Sequence, residues 1–226
     1  GTAEDPMGDE TDGTDDQALY YSDELLEHLQ LRWGEGFLSP GGREELARML
    51  RGLDLAGRSG LDFGCGIGGY DVCLSRDHGA AHVTGVDLGA AAIRRAEERA
   101  AAEGLSDRLA FRRVAEGPLP FEDGAFGFVF SKDTIVDIPD KAPVFAELFR
   151  VLGPGGVFVM SDWFRSEAPY TEEMRAWATT GDETYEMCTI ADAARDCAAA
   201  GFEAVETDDR NDWFREFARE EHARLK

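Results

Sequence analysis

The sequence predicts an α/β protein built on a doubly wound, mostly parallel sheet. Short apolar runs alternate with amphipathic segments along most of the 226 residues, which is typical of parallel strands joined by helices. A glycine-rich turn joins the first apolar run to the amphipathic segment after it. There is no internal repeat and no domain-sized linker. We therefore expect residues 17–226 to form one domain, preceded by a disordered acidic tail at 1–16 that has almost no apolar residues.

The same periodicities place the elements in order. The strands are expected at 59–63, 82–87, 109–113, 126–131 and 156–162. The helices are expected at 20–33, 44–52, 69–78, 89–103, 141–152, 171–179 and 211–224, with a helix–strand pair across 190–207. Because ligands of such sheets bind outside the carboxyl ends of the strands, the residues after each strand are the candidates for function.

The charge balance restricts the possible partners. The chain has 46 acidic and 23 basic residues and a net charge of -23, so nucleic acid and anionic membrane surfaces are poor partners. The lysines are Lys132, Lys141 and Lys226. Two interpretations stay open: an acidic, highly soluble protein from an arginine-biased genome, or a halotolerant one adapted to high intracellular salt.

Location and metal content are also expectations from the sequence. No apolar run approaches the ~20 residues of a membrane span, and the first residues do not resemble a secretory signal, so a cytoplasmic protein is expected. The four cysteines lack the spacing of a metal site, and free thiols suit that compartment: Cys65, Cys73, Cys188 and Cys197. No metal is expected.

The glycine-rich turn carries the clearest functional signal. Gly64, Gly66 and Gly68 alternate directly after the first apolar run, where glycine accepts positive φ and lets a ligand approach the backbone. Asp87 ends the next apolar run, near the ~20-residue separation expected of a carboxylate that accepts ribose hydroxyls. The pattern predicts an adenosine-type cofactor, with a helix N-cap as the ordinary alternative for Asp87.

The residue before the turn distinguishes two cofactors. Gly64, Gly66 and Gly69 also fit a loose dinucleotide motif, whose glycines approach a pyrophosphate. Asp62 would repel a pyrophosphate. A carboxylate there suits the ammonium and sulfonium groups of S-adenosylmethionine, which is therefore the predicted cofactor.

Four blocks in the right order resemble the class I S-adenosylmethionine-dependent methyltransferases: 61–68, 83–88, 119–130 and 148–160. The resemblance implies a Rossmann-like fold and methyl transfer. It also implies a set of cofactor-binding residues: Asp62, Gly64, Gly66, Gly68, Asp87, Leu88, Glu116 and Ser131. Glu116 would meet the adenine amino group, although a solvated loop glutamate is nearly as good an interpretation.

A narrower resemblance concerns the methyl acceptor. The segments 21–24, 33–42, 130–135 and 161–163 resemble the phosphoethanolamine N-methyltransferases. The region of Asp133 and the segment 139–141 resemble the sarcosine/dimethylglycine N-methyltransferases. This implies a helical lid at 17–44, a small amine as substrate and Tyr21 as a catalytic residue. In the phosphoethanolamine enzymes the lid tyrosine pairs with a histidine after the fourth strand, and here that position is Asp137.

The acceptor residues follow from this departure. Asp133 and Asp137 are four apart, so on a helical turn they would share a face toward the cleft and serve as base or ammonium ligand. Trp33, Trp163 and Tyr185 are the candidates for cation–π contact with a methylated ammonium, with core packing as the alternative for each. The acidic stretch 180–186 disfavours a phosphate on the substrate.

Two other functions stay open at this point. One is a small-molecule O- or S-methyltransferase of osmolyte or natural-product synthesis, for which an ammonium site would be dispensable. The other is a non-catalytic cofactor-binding protein. The sequence leaves the oligomeric state and the number of methyl transfers undecided.

Overall fold

The protein is described by a computed structural model that covers residues 22–178 and 187–224. Tyr21, Tyr185 and the predicted acidic tail at 1–16 lie outside the described residues. No helix in the described part is long and apolar enough to cross a membrane.

Five parallel strands form the sheet of the described residues, in the order β3-β2-β1-β4-β5. The strands are β1 (Ser59–Phe63), β2 (His82–Asp87), β3 (Leu109–Arg113), β4 (Phe126–Lys132) and β5 (Leu152–Ser161). The order reverses between β1 and β4, so the chain winds outward in both directions from the centre. The predicted fold class is confirmed, with each strand within a few residues of its expected position.

Eight helices surround this sheet in the described residues. They are α1 (Asp23–Trp33), α2 (Gly42–Met49), α3 (Gly69–Arg76), α4 (Ala90–Ala102), α5 (Lys141–Val151), α6 (Glu172–Ala178), α7 (Ile190–Ala200) and α8 (Asn211–Arg224). Local sequence explains several ends. The Ser22 hydroxyl accepts from Leu25 N–H at the start of α1, and Thr189 and Asp192 form a capping box on α7.

The core lies on both faces of the sheet, as the alternation along β4 shows. Phe128 and Phe130 join a cluster with residues of α2 and α3, whereas Val129 joins a second cluster with Phe145 and Leu148 of α5. Successive side chains of a strand point to opposite faces, so one apolar run serves both clusters. The central strands are thereby held rigidly, and their carboxyl ends share one edge of the sheet.

One predicted element is wrong. The strand expected after α7, in the 190–207 pair, is not formed: Gly201 ends α7 at φ 115°, and residues 202–207 belong to no strand. Neither these residues nor any other described segment pairs with the outer edge of β5. A strand exists only when its backbone groups find a partner, and apolar periodicity alone does not supply one. Phe202 still packs, with its ring 5.2 Å from that of Phe158 in β5.

Candidate cofactor and acceptor site

The glycine turn adopts a conformation that only glycine tolerates well. Gly64, Gly66 and Gly68 have φ values of 81°, 54° and 78°. A Cβ on Gly64 would lie 2.1 Å from Thr134 Oγ1, and one on Gly66 would lie 3.0 Å from Leu38 Cδ1. The turn is therefore required to be glycine both by its backbone angles and by the neighbours that cover it.

Asp87 holds this turn in place from the end of β2. Its carboxylate accepts from Gly66 N–H at 2.9 Å and from Gly89 N–H at 2.8 Å, so it links the turn to the start of α4. Burial raises its pKa, while the N–H groups of Gly89 and Gly66 oppose that effect. The half-buried Leu88 follows, and its carbonyl accepts from Arg113 Nε at 2.9 Å. Asp87 thus lies where the sequence places it, with free lone pairs for a further donor.

Two carboxylates lie buried beside the turn. Asp62 of β1 is 2 % exposed and Asp71 of α3 is 0 % exposed. Both oxygens of Asp71 lack a hydrogen-bond donor among the described residues. Burial and the neighbouring Asp71 carboxyl raise the pKa of Asp62 well above its usual range, and burial raises the pKa of Asp71 to about 7. Such a pair fits a cationic ligand group.

The segment after β4 is strained at Asp133. This residue has a φ of 52°, rare for a residue other than glycine, and its N–H donates to Ser161 O at 2.8 Å. Its carboxylate lies 2.5 Å from Lys132 Nζ, which is also 3.3 Å from Ser39 Oγ in the loop before α2. Asp133 is therefore held at the sheet edge by an ammonium from the same chain.

The expected helical turn shared by Asp133 and Asp137 is wrong. The left-handed backbone of Asp133 lies outside the short 3-10 turn Ile135–Asp137, and α5 begins only at Lys141. The two carboxylates therefore do not occupy one helical face. Asp137 is exposed, whereas Asp133 is half-buried. The segment bends here because backbone partners outside it, rather than an internal helical ladder, satisfy its polar groups.

Those partners are the half-buried carboxylate of Asp162 and the buried ammonium of Lys141. The Asp162 carboxylate accepts from Ile135 N–H at 2.8 Å and from Val136 N–H at 3.1 Å. Lys141 Nζ donates to Ile135 O at 2.9 Å and to Ile138 O at 2.6 Å. Residues 135–138 are thus clamped from both sides. Burial and the Asp133 charge raise the pKa of Asp162 to about 7, against the backbone N–H bonds that it accepts.

The remaining predicted residues differ in their surroundings. Ser131 is buried and its hydroxyl donates to Phe63 O at 2.8 Å, which joins the ends of β4 and β1. Glu116 lies exposed in the loop after β3. Trp33 packs against the cluster of α2 and α3, and its buried Nε1 has no hydrogen-bond partner in the described part of the chain. The Trp163 ring meets Phe214 of α8 edge-on at 4.6 Å.

The segment around α1 and α2 covers the glycine turn. Gln30 Oε1 accepts from Gly36 N–H and from Arg99, each at 3.0 Å, and Arg99 Nε donates to Ile67 O at 3.1 Å. A Cβ on Gly69 would lie 1.9 Å from Gly36 O, so the two backbones are in direct contact. The lid predicted at 17–44 stays a prediction. Its described part reaches from Ser22 onward.

An open groove leads away from this site along the free edge of β5. Its volume is about 1810 Å³, and its lining includes Phe158, Met160 and residues of α7 and α8. Asp133, Asp162 and Trp163 also line the groove. The groove thus connects the acceptor side of the site to the surface, whereas the glycine turn lies outside it.

Sequence reasoning missed Asp71, Lys141 and Asp162 as parts of this site. Two signals were available. Asp71 interrupts the buried face of α3, where every neighbour from Gly69 to Ser75 is buried. Two of the three lysines of an arginine-biased chain, Lys132 and Lys141, are buried beside the segment after β4.

A family model described as a methyltransferase domain matches residues 55–218, which include all five strands of this sheet. The chain belongs to this family. Among curated relatives, Phosphoethanolamine N-methyltransferase 1 of Triticum aestivum is 34% identical to this chain over 201 residues. The matched part is 88% of this chain and 39% of the relative.

Solved structures extend the likeness to three dimensions. Phosphoethanolamine N-methyltransferase 2 of Haemonchus contortus, in complex with S-adenosyl-L-methionine, has a TM-score of 0.83 at 28% identity and covers 91% of this chain and 47% of its own. Its complex with phosphomonomethylethanolamine and S-adenosylhomocysteine has the same TM-score at 27% identity, over 91% of this chain and 48% of its own. A putative sarcosine dimethylglycine methyltransferase of Galdieria sulphuraria has a TM-score of 0.62 at 26% identity, over 70% of this chain and 58% of its own.

These matches confirm the predicted family, the enzyme class and the S-adenosylmethionine cofactor. The methyltransferase spans less than half the length of the phosphoethanolamine enzymes that it matches. The roles predicted for individual residues stay predictions.

Proposed function

We propose that this methyltransferase transfers a methyl group to the nitrogen of a small amine of the ethanolamine or glycine-betaine type. The observation that carries the proposal is Asp133, a carboxylate held in a strained left-handed conformation at the carboxyl end of β4. Strain of this kind persists only where the surroundings impose it, and it concentrates at functional sites. Lys132 and the Ser161 carbonyl impose it here.

The donor side of the site suits S-adenosylmethionine. The buried carboxyls of Asp62 and Asp71 would receive its ammonium, the glycine turn would accept close contact, and Asp87 would accept the ribose hydroxyls. Leu88 and Ser131 would flank it, and Glu116 remains the proposed partner of the adenine amino group. When bound, the cofactor supplies a methyl group activated by a sulfonium. The chain's task is to orient the acceptor and exclude water.

The acceptor side must bind an ammonium and then neutralise it. The nitrogen lone pair forms the new N–C bond as the methyl–sulfur bond breaks, so the proton must leave the nitrogen first. Asp133 is proposed to bind the ammonium, and Asp137 to take its proton. Tyr21 is proposed to close the lid over Asp137, while Trp33, Trp163 and Tyr185 stay proposed contacts of a methylated product. The described contacts of Trp33 favour core packing.

Charge favours an amine without a phosphate. The described acidic groups at this edge include Asp133, Asp137 and Asp162, and Lys132 is already paired with Asp133. A phosphate would bring about two negative charges into this field. We therefore propose ethanolamine-type or glycine-betaine-type acceptors ahead of phosphoethanolamine, although the Haemonchus contortus relative was solved with a phosphorylated amine.

The experiment is transfer of an isotope-labelled methyl group to a panel of amines by the 226-residue chain. Glycine, sarcosine, dimethylglycine, ethanolamine and phosphoethanolamine are compared, with product identified by mass. A labelled N-methyl product from any amine other than phosphoethanolamine supports the proposal. Product from phosphoethanolamine alone overturns its charge argument, and no amine product at all overturns N-methylation.

A matched pair of variants separates the alternatives. Asp133→Asn should lower transfer to an amine by about 100-fold or more. Asp140→Asn changes an exposed carboxylate in the same loop and should leave transfer intact. If Asp133→Asn retains full turnover, an O- or S-methyltransferase becomes the better reading. If wild-type protein binds cofactor and methylates neither nitrogen, oxygen nor sulfur acceptors, it is a binding protein.

A further inference from the structure

The deepest polar feature near the glycine turn is the pair of carboxyls on Asp62 and Asp71. They come from adjacent elements: Asp62 lies in β1, and Asp71 lies in α3 directly after the turn. Asp71 is completely buried, and its carboxyl contacts that of Asp62, while no other described side chain donates to either of its oxygens. A buried carboxylate without a cation or a neutral donor is strongly disfavoured in its charged form, so the structure must neutralise it in another way.

Among the described residues, no cation lies beside the pair for this purpose. Asp87 faces the pair from β2, Cys65 from the turn and Tyr70 from α3, and each of these groups is acidic or neutral. Lys132 Nζ lies 5.8 Å from the centre of the Tyr70 ring, but it forms an ion pair with Asp133. Two adjacent carboxylates without a cation cannot both be ionised, and they titrate as a pair that shares a proton.

We propose that Asp62 and Asp71 share one proton in the absence of cofactor and release it when the ammonium of the cofactor's amino-acid tail binds. Asp71 is then a positioning residue that acts through Asp62. In this step the shared O–H bond breaks and the proton passes to the buffer. The ammonium keeps its own protons and donates to the carboxylate oxygens. The inference rests on the proposed mode of cofactor binding and does not depend on the methyl acceptor.

The device would make cofactor recognition depend on the amino-acid tail. A ligand with an ammonium compensates the second negative charge, so it can displace the proton. A ligand with the same adenosine part and no ammonium cannot displace the proton. Asp62 and Asp71 therefore keep their shared proton when such a ligand binds. The chemical class recognised at this point is an α-amino acid tail in its cationic-amine form.

The test measures protons rather than catalysis. S-adenosylmethionine binding is followed by calorimetry near pH 6 in two buffers with different heats of ionisation, because the difference in heat counts the protons exchanged. We expect about half to one proton released per cofactor bound. 5′-Methylthioadenosine, which has the adenosine part but lacks the amino-acid tail, should bind with no release. Equal release by both ligands, or none by either, overturns the proposal.

Variants assign the proton to the pair. Asp71→Asn places an amide donor beside Asp62, so cofactor binding should occur without proton release. Asp107→Asn changes an exposed carboxylate before β3 and should release as many protons as the wild-type protein. If Asp71→Asn releases the wild-type number, Asp71 has no part in the exchange. If that variant does not fold, the difference in proton release between the two ligands on the wild-type protein still tests the proposal.

The pH profile of binding gives a second readout. Between about pH 5.5 and 7, affinity for S-adenosylmethionine should rise by up to about tenfold per pH unit, because the pair must lose its proton before the ammonium binds. The profile for 5′-methylthioadenosine should be flat. A flat profile for both ligands would contradict the shared proton. Failure of methyl transfer in a protein that still shows this profile would count against the proposed acceptor only.

Discussion

The donor side and the acceptor side of the site are built by different means. The donor side is built mainly from the backbone. It consists of three glycines at positive φ and of Asp87, whose carboxylate accepts from the backbone N–H groups of Gly66 and Gly89. The acceptor side uses buried charges. Lys141 and Asp162 clamp residues 135–138, and Lys132 holds Asp133. A site made of backbone tolerates few substitutions at a few positions, whereas a site made of charged side chains can be changed one group at a time.

The largest expected effect comes from Gly64→Ala, because this residue joins the two sides. Its Cβ would lie 2.1 Å from Thr134 Oγ1 in the acceptor segment, in addition to the strain of a positive φ. We expect loss of cofactor binding by more than about 100-fold, with a lower melting temperature. Binding by calorimetry and melting by circular dichroism measure both.

Gly57→Ala is the matched control for this prediction. Gly57 has a similar φ of 74°, but a Cβ there meets nothing within 4 Å. Only the backbone cost of about 1 kcal/mol should appear, with unchanged cofactor affinity. Equal losses in the two variants would show that packing between the turn and Thr134 is unimportant.

Asp133→Asn should separate the two sides most cleanly. Removal of its charge should lower kcat/KM for the amine by about 100-fold or more, since loss of a charged hydrogen-bond partner costs about 3 kcal/mol. The dissociation constant of the cofactor should stay within about twofold, because the donor side does not use this carboxylate. Steady-state kinetics and calorimetry on the same preparation give both numbers. Equal changes in both would mean that the sides are not independent.

Lys141→Met tests the clamp on the acceptor segment. The substitution keeps the length of the side chain but removes a buried ammonium that donates to the carbonyls of Ile135, Val136 and Ile138. We expect a loss of about 2–4 kcal/mol in the free energy of unfolding and a lower amine kcat/KM. Denaturant unfolding measures the first. An unchanged free energy of unfolding would show that the segment holds its shape without the ammonium.

The pH dependence of stability is the smallest expected effect, and it concerns both sides. The folded pKa values of Asp71 and Asp162 are raised to about 7, above the unfolded value near 4. A carboxyl group whose pKa is raised on folding stabilises the folded state most at a pH below its unfolded pKa. This contribution to the free energy of unfolding is lost as the pH rises through the folded pKa. The melting temperature should therefore fall by about 3–6 °C between pH 6 and pH 8.

A variant assigns this pH effect. Asp71→Asn removes a titrating group on the donor side, so its melting temperature should fall less between pH 6 and pH 8 than that of the wild-type protein. Asp107→Asn, exposed and distant from the pair, should behave as the wild-type protein does. A wild-type melting temperature that rises with pH over this range would contradict the raised pKa values.

Sequence reasoning reached the donor side because its determinants are local. Glycines at alternate positions, an acid before them and an acid after the next strand are read directly from one stretch of chain. The buried partner Asp71 was not predicted because its role depends on which face of α3 packs against the sheet. On the acceptor side the pattern located Asp133 and Asp137 correctly after β4 but predicted a shared helical turn. The positive φ of Asp133 excludes that turn.

The sequence alone therefore determined the class of fold, the positions of the five strands along the chain, the family and the methyl donor. Periodicity and glycine spacing are properties of neighbouring residues, so they need no tertiary contact to be recognised. Only the tertiary structure decided that Lys141 and Asp162 hold the acceptor segment, that Asp62 and Asp71 form a buried acidic couple with no cation beside it among the described residues, and that residues 202–207 form no strand. Each of these depends on the partners that distant parts of the chain bring, or fail to bring, to a buried polar group.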